Sequence, residues 1–412
     1  MTRPAPAPRH VVVVNDFGHV EGGASRVAVE SALALAATGR AVTFFCAVAP
    51  IAPALREQRN LRVVCTAQHD VLGDPSRGRA IVQGLWNRRA ARALAEVLSA
   101  TPVAETVVHL HGWTKALSAS AVAAAFARGS RIVCTMHDYF LACPNGGFFD
   151  YQAGRICSRR PLSAACVARH CDIRSYPQKL WRTGRQVVQR SAGLPSRLRH
   201  VIAVSELSAG VLRPFLPPAT RVHLVRNPVA AVREPPVDVA RHDLFVAVGR
   251  LSPEKGPRLF ATAAARSGCA ALFVGDGACR AEVARICPGA RVTGWLPPAE
   301  VAAHVRRARA LVLPSLWYEA QPLAVLEAAA LGVPALVPDG CAAREAVADG
   351  ETGLWFRSGD PDDLARKLRQ LGDAETARRM GRAAYERFWS DPPTLETHAA
   401  DLLRVYAEVV GP

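Results

Sequence analysis

No stretch of this 412-residue chain reaches the ~20 uninterrupted apolar residues that a membrane-spanning helix needs. The opening MTRPAPAPRH leads into only four valines, shorter than the apolar core of a secretory signal. A cytoplasmic chain is therefore expected, at most peripheral to the inner face of the cell membrane. Aromatic residues are sparse, at 6%, and those near basic residues do not interleave with them as stacking platforms do. With no nucleic-acid-binding motif either, no nucleic acid is expected among the partners. The loop after the first strand is not G-x-G-x-x-G, which argues against a dinucleotide cofactor. C-x2-C knuckles are missing although the chain has eleven cysteines, and in this compartment those cysteines are expected to be reduced. Acidic residues are short as well, 35 against 51 Lys plus Arg, for a net charge of +16. No internal repeat or low-complexity tract stands out beyond a bias to alanine.

Half of the residues are apolar, ample to bury two cores, and this length favours two domains. The strand His10 to Val14, a loop with Gly22 and Gly23, a helix through Ala37 and the strand Ala41 to Ala47 form a βαβ unit of a parallel sheet. Further strands are expected at Thr106 to Leu110, Arg131 to Thr135 and His200 to Val204. Asn227-Pro228 and a Pro-containing connector then close a first domain, 1–232. A second, 240–392, restarts at Leu244 to Val248 and alternates again through Ala271 to Val274, Arg291 to Thr293, Leu311 to Leu313 and Ala335 to Val337. The fold class is α/β, two Rossmann-like domains with parallel sheets.

The densest functional signal lies between Leu311 and Phe356, where Glu319 and Glu327 stand eight residues apart. The pattern predicts a strand, a loop from Pro314 to Ala320, and a helix whose first residue is Pro322, followed by Leu323, and which Gly332 ends. In an open α/β sheet, ligands bind at the carboxyl ends of the strands, where a helix start offers unpaired N–H groups to an anion. Carboxylates beside such a site suit sugar hydroxyls. The second domain's first strand runs into VGRLSPEKG, placing Arg250 and Lys255 on a loop at the same end. Arginine can bond two oxygens at once and lysine acts as a point charge, a pair suited to a diphosphate.

This run resembles the E-x7-E signature of the retaining glycosyltransferases of family 4, and G-R-x-x-x-x-K-G around Arg250 and Lys255 is similar to that family's phosphate-holding loop. The resemblance implies the GT-B fold, with a C-terminal helix at 393–412 packing back on the first domain. It implies a nucleotide-sugar donor, Arg250 and Lys255 on its phosphates, Glu319 on the sugar hydroxyls and Glu327 on the ribose. It implies Gly22 and Gly23 facing the diphosphate, Pro322 and Leu323 at the helix start, Trp295 near the base, and His137 reaching the transferred sugar. His111, Trp113 and Lys115 are expected on the acceptor side. No cofactor is expected for catalysis, because cations and helix N–H groups can meet the charge that grows on the leaving diphosphate. A related fold could instead hydrolyse or epimerise the nucleotide sugar, or bind the donor without turnover.

Two further segments stand out. Cys143, Cys157, Cys166 and Cys171 crowd into a 29-residue insertion, 143–171, whose four thiolates could hold a structural zinc. Between Tyr151 and His200 there are eleven Arg plus Lys and one acid, Asp172. Within that stretch a helix at about 176–192 carries Lys179, Arg182, Arg185 and Arg190 around Leu180, Trp181, Val187 and Val188. A basic amphipathic helix of this kind suits an anionic membrane surface. From it the expected acceptor is a membrane-associated or lipid-linked glycan.

Overall fold

The computed structural model describes residues 8–411. Seven parallel strands form the first sheet: β1 (His10–Phe17), β2 (Ala41–Val48), β3 (Leu61–Cys65), β4 (Thr106–Leu110), β5 (Arg131–Met136), β8 (His200–Ala203) and β9 (Arg221–Leu224). They are ordered β3-β2-β1-β4-β5-β8-β9. A small antiparallel hairpin, β6 (Phe149–Asp150) with β7 (Arg155–Ile156), stands apart inside the cysteine-bearing insertion. The second sheet has six strands, β10 (Leu244–Val248), β11 (Ala270–Val274), β12 (Arg291–Val292), β13 (Ala310–Val312), β14 (Ala335–Pro338) and β15 (Gly353–Phe356), ordered β12-β11-β10-β13-β14-β15.

The central strands are apolar on both faces, because helices cover both sides of a parallel sheet. Val11, Val12, Val13 and Val14 are all fully buried, alternating between the two cores of the first sheet. In each sheet the strand order reverses beside the first strand laid down, between β1 and β4 and between β10 and β13. A crevice opens at each reversal, outside the carboxyl ends of the two strands. Those ends are Asn15 to Phe17 with His111 in one sheet, and Gly249-Arg250 with Pro314-Ser315 in the other.

The Leu395–Val410 helix, capped by Thr394, returns to the first sheet. Leu402, Val405 and Tyr406 lie in one core with Val11, Val13 and Ala28. Val229, Ala330 and Phe388 form a separate apolar cluster where the chain passes between the sheets. Among the described residues no helix is long and apolar enough to cross a membrane.

Three details differ from the sequence expectation. Pro322 is not the first helical residue but the N-cap, with ψ at 104°, and the helix runs Leu323–Ala330. Strands β3, β9 and β15 were not anticipated. The Tyr176–Ser191 helix forms, yet it is inverted. Lys179, Thr183, Gln186 and Gln189 are buried while Leu180 and Val187 are 42% and 51% exposed. Arg182 pairs with the buried Asp172 at 3.1 Å, and Arg185 donates to the Thr114 carbonyl at 2.7 Å. Of the four cations in the expected basic face, only Arg190 is exposed. The others serve buried acceptors, which is cheaper than leaving those acceptors without partners.

Candidate active site

The loop leaving β10 is held against the loop leaving β13 first by its backbone. Leu316 donates its N–H to the Glu254 carbonyl at 2.9 Å. Gly256 sits at φ +66°, and a Cβ there would lie 1.9 Å from the Pro314 oxygen. Only glycine fits that conformation and that approach. Its consequence is the contact between Lys255 and Glu319, where Nζ donates to Oε1 at 2.7 Å. Ser315 Oγ donates to the same oxygen at 2.6 Å. Glu319 is 7% exposed. Burial pushes its pKa up, but the charge and hydrogen bond of Lys255, with help from Ser315, hold it below the usual carboxylate value. Lys255 also lies over the Trp317 ring, 5.3 Å from its centroid. Arg250, on the same loop, stays open, its side chain 60% exposed and 3.8 Å from Glu254.

The first sheet supplies the opposing wall. Gly22 is the N-cap of the Gly23–Ala37 helix, without a capping side chain, and a Cβ on Gly22 or Gly23 would meet open space. One turn on, Arg26 donates to Glu30 at 2.9 Å and to Glu327 at 2.7 Å. Glu327 is therefore held by the first domain's helix start. Glu345 reaches across in the other direction and accepts the N–H groups of Glu206 and Leu207, at 3.0 and 2.8 Å. A carboxylate there complements the positive end of the Glu206–Leu212 helix.

His137 follows β5 and joins a chain of hydrogen-bonded rings. It lies 2.9 Å from His111, which lies 3.3 Å from His109, and His109 meets Thr135 and the Tyr406 hydroxyl, both at 2.6 Å. Burial, with the nearby His398, pushes the His137 pKa down to about 3, and burial lowers His109 and His111 as well. These rings are neutral at ordinary pH. A neutral His137 can donate or accept one hydrogen bond but carries no charge to a substrate.

The residues expected on the acceptor side are distributed unevenly. Trp113 is 5% exposed and donates to Gln189 at 3.0 Å, so it forms a wall and offers no free N–H. Lys115 gives its backbone N–H to the buried Asp16 at 2.9 Å and lies over the Phe17 ring. Asp16 also accepts from Ala116 and Leu117, at 2.8 and 2.9 Å, which fixes the loop after β4. His111 is buried in the ring chain. Trp295 stands apart, 68% exposed.

The cysteine-bearing insertion sits at this cleft. A Cβ on Gly147 would lie 2.8 Å from the Trp317 ring, and Tyr139 meets Tyr318 edge-on at 6.1 Å between ring centroids. One buried carboxylate organises the insertion: Asp150 pairs with Arg169 at 2.7 Å and Arg159 at 3.4 Å. All four of its cysteines are free thiols. Lys179 Nζ approaches Cys166 Sγ at 3.5 Å, and Asn145 approaches Cys171 Sγ at 3.3 Å. Among the described residues no three His, Cys, Asp or Glu side chains converge to hold a metal ion.

Arg26, Trp317 and the Tyr406 hydroxyl were missed by sequence reasoning. Each reaches its partner only through tertiary contact, and no local pattern marks it.

The model of "Glycosyltransferase Family 4" matches residues 21–233, and that of "Glycosyl transferases group 1" matches residues 233–387. Glycogen synthase of Mycobacterium tuberculosis is 34% identical over 197 residues, 43% of this chain and 46% of that protein, so the match spans less than half of the relative. Among solved structures, sucrose-phosphate synthase of Thermosynechococcus elongatus superposes with a TM-score of 0.71 at 20% identity, over 97% of this chain and 98% of that one. Anabaena HepE in complex with UDP-glucose superposes at 0.63 and 16% identity, over 95% and 97%. The two parallel sheets are the GT-B architecture those structures share. With the family's own model covering more than half of its length, the chain belongs to glycosyltransferase family 4.

Proposed function

We propose that the chain is a retaining glycosyltransferase that moves a sugar from a nucleotide-diphosphate donor to a membrane-associated saccharide or lipid-linked glycan. The observation that carries this reading is the Lys255–Glu319 pair at 2.7 Å, with the exposed Arg250 on the same loop. One cation orients a buried carboxylate while the second stays available to an incoming anion. In this reading the leaving diphosphate meets Arg250, Lys255 and the N–H groups at the Leu323 helix start, and the charge it develops is stabilised more than the charge it had. Glu319 orients the sugar, Glu327 the ribose once Arg26 yields it, and His137 bonds a sugar hydroxyl. The UDP-glucose complex of HepE supports a nucleotide sugar as donor.

A membrane-borne acceptor is supported by the surface of the first domain. The Arg77–Leu85 and Tyr176–Ser191 helices lie side by side, with Trp181 Nε1 donating to the Ile81 carbonyl at 3.3 Å. Around them Leu72, Ile81, Val82, Trp86, Ile173, Leu180 and Val187 are 40–63% exposed. Arg88, Arg89, Arg174 and Arg190 are exposed in these segments; of the neighbouring acids, Asp74 and Asp172 are buried and paired with Arg79 and Arg182, and Asp70 accepts the Gly73 N–H at 2.7 Å. Exposed apolar side chains together with exposed cations match an anionic bilayer. Vesicles of phosphatidylglycerol should retain the protein where phosphatidylcholine does not, and Leu180→Ser with Val187→Ser should release it. Equal retention on both lipids removes the membrane from the reading.

A structural zinc on Cys143, Cys157, Cys166 and Cys171 is a separate proposal, supported by the presence of all four in one insertion and by Lys179, whose ammonium approaches Cys166 Sγ at 3.5 Å and would balance thiolate charge. Zinc would require the four thiols to draw together. One equivalent of zinc in freshly purified, reduced protein is the expected result, and none removes the site.

The transferase reading is tested by incubating the protein with a panel of nucleotide sugars and bacterial lipid extract, then reading the anomeric configuration of the product by NMR. A transferred sugar with retained configuration is expected. Free sugar or an isomer without acceptor identifies a hydrolase or an epimerase, and donor binding without turnover identifies a silent subunit. Each of those outcomes overturns the reading.

A further inference from the structure

A groove of about 710 Å³ lies between the insertion and the end of the Glu206–Leu212 helix, and Tyr318 of the second domain also lines it. Tyr318 is the residue before Glu319, which ties this part of the groove to the loop that carries the proposed sugar-orienting carboxylate. One wall is aromatic. Phe148 and Phe215 stack with centroids 5.5 Å apart, and Tyr139 bridges Phe148 to Tyr318 at 5.7 and 6.1 Å. The other feature is charge of one sign. Arg159, Arg160 and Arg190 line the groove and no acidic residue does. Arg159 is spent on the buried Asp150, but among the described residues neither Arg160 nor Arg190 forms an ion pair.

A groove lined by aromatic rings and by two guanidinium groups outside any ion pair suits a molecule with an apolar or ring-faced body and an anionic group. Phosphate fits guanidinium best, because two N–H groups can meet two of its oxygens. Resting on the transferase reading above, we propose that this groove is the acceptor site and that the acceptor is a phosphate-bearing amphiphile. Its phosphate lies between Arg160 and Arg190, its body along Phe148 and Phe215, and its accepting hydroxyl points past Tyr318 toward Glu319. Arg190 also lies in the last turn of the helix whose outer face exposes Leu180 and Val187, so a lipid entering from a membrane surface would reach the groove along one side of the molecule.

The probe is dodecyl phosphate, titrated below its micelle concentration and compared with dodecyl maltoside, which has the same chain and no charge. The wild-type protein should bind the phosphate at least about tenfold more tightly, a difference near 1.4 kcal/mol. Arg160→Ser with Arg190→Ser should abolish that preference while leaving nucleoside-diphosphate binding intact. Both side chains are exposed, so the variant is expected to fold, and its melting temperature checks that it does. Phe215→Ser should weaken both amphiphiles alike. Equal binding of the two amphiphiles, or a preference unchanged in the double arginine variant, overturns the proposal. Phosphate preference in a protein that transfers no sugar leaves the groove standing and sinks the transferase reading, whereas transfer without preference does the reverse.

Discussion

Lys255→Ala is the perturbation whose consequences can be followed furthest. In the wild-type protein Lys255 donates to a carboxylate that is 7% exposed. Truncating the lysine leaves the Glu319 charge buried with Ser315 as its remaining hydrogen-bond donor. Breaking a buried ion pair from one side costs about 3–5 kcal/mol. Lys255 keeps 29% of its side chain in solvent and Glu319 9%, so water softens the loss, and about 2–3 kcal/mol is the fair expectation. For a domain of this size that lowers Tm by roughly 4–12 °C. Turnover should fall further, by about 10²–10³, because a preorganised cation at the leaving group is lost as well.

The pH dependence separates this account from general damage. Glu319 has a depressed pKa in the folded protein, so its contribution to stability is present above the usual value of 4.5 and fades as pH falls below it. Without Lys255, burial dominates and the pKa moves above that value. The variant then relieves its buried charge by taking up a proton as the solution becomes acidic. The gap in Tm between wild type and variant should therefore be widest near about pH 7.5 and shrink toward about pH 4.5. Adding Glu319→Gln to the variant should restore most of the stability and none of the turnover. Thermal unfolding and initial rates measured across that range decide the matter. A gap that does not change with pH, or a lysine variant with normal Tm and normal turnover, refutes the reasoning.

The other expectations are shorter. Tyr406→Phe removes the hydroxyl that meets His109 at 2.6 Å inside the core; it should cost about 1–3 kcal/mol and leave nucleotide binding alone, and an unchanged Tm speaks against the ring chain. Because His137 is held near about 3, the pH profile of turnover should show no histidine inflection around 6.5, and an inflection there that disappears in His137→Asn contradicts the neutral ring. Gly256→Ala places a Cβ against the Pro314 oxygen, so it should separate the two loops, cost more than about 2 kcal/mol and abolish transfer; a stable, active variant rules out that close contact.

Much of the fold could be read in advance because its central strands are unambiguous. A run such as Val11 to Val14, followed by a glycine loop, a helix and another apolar strand, has few alternatives to a parallel sheet. Strands β3 and β9 escaped because they lie at the sheet edges, where LRVVC and RVHL are only partly buried and mix charge with apolar residues. The loops bearing Arg250, Lys255 and Glu319 were legible because each follows a clear strand. What they touch was not. The contact of Lys255 with Glu319 depends on Gly256 passing the Pro314 carbonyl, and the tie of Glu327 to Arg26 spans 301 residues. The Tyr176–Ser191 helix shows the limit of periodicity most plainly. Its pattern separates polar from apolar residues but does not say which side faces in. Asp172, just ahead of the helix, and the Thr114 carbonyl, far from it in sequence, draw its cations inward and leave Leu180 and Val187 outside.

The account stands on positive charge at the carboxyl end of β10 receiving a diphosphate. Calorimetric titration of UDP, GDP and ADP into the wild-type protein and Arg250→Ala tests this directly, since Arg250 is exposed and its loss spares the fold. At least one of the three should bind the wild type, and the arginine variant should bind it at least about tenfold more weakly. Failure of all three to bind, or equal affinity in the variant, contradicts the account.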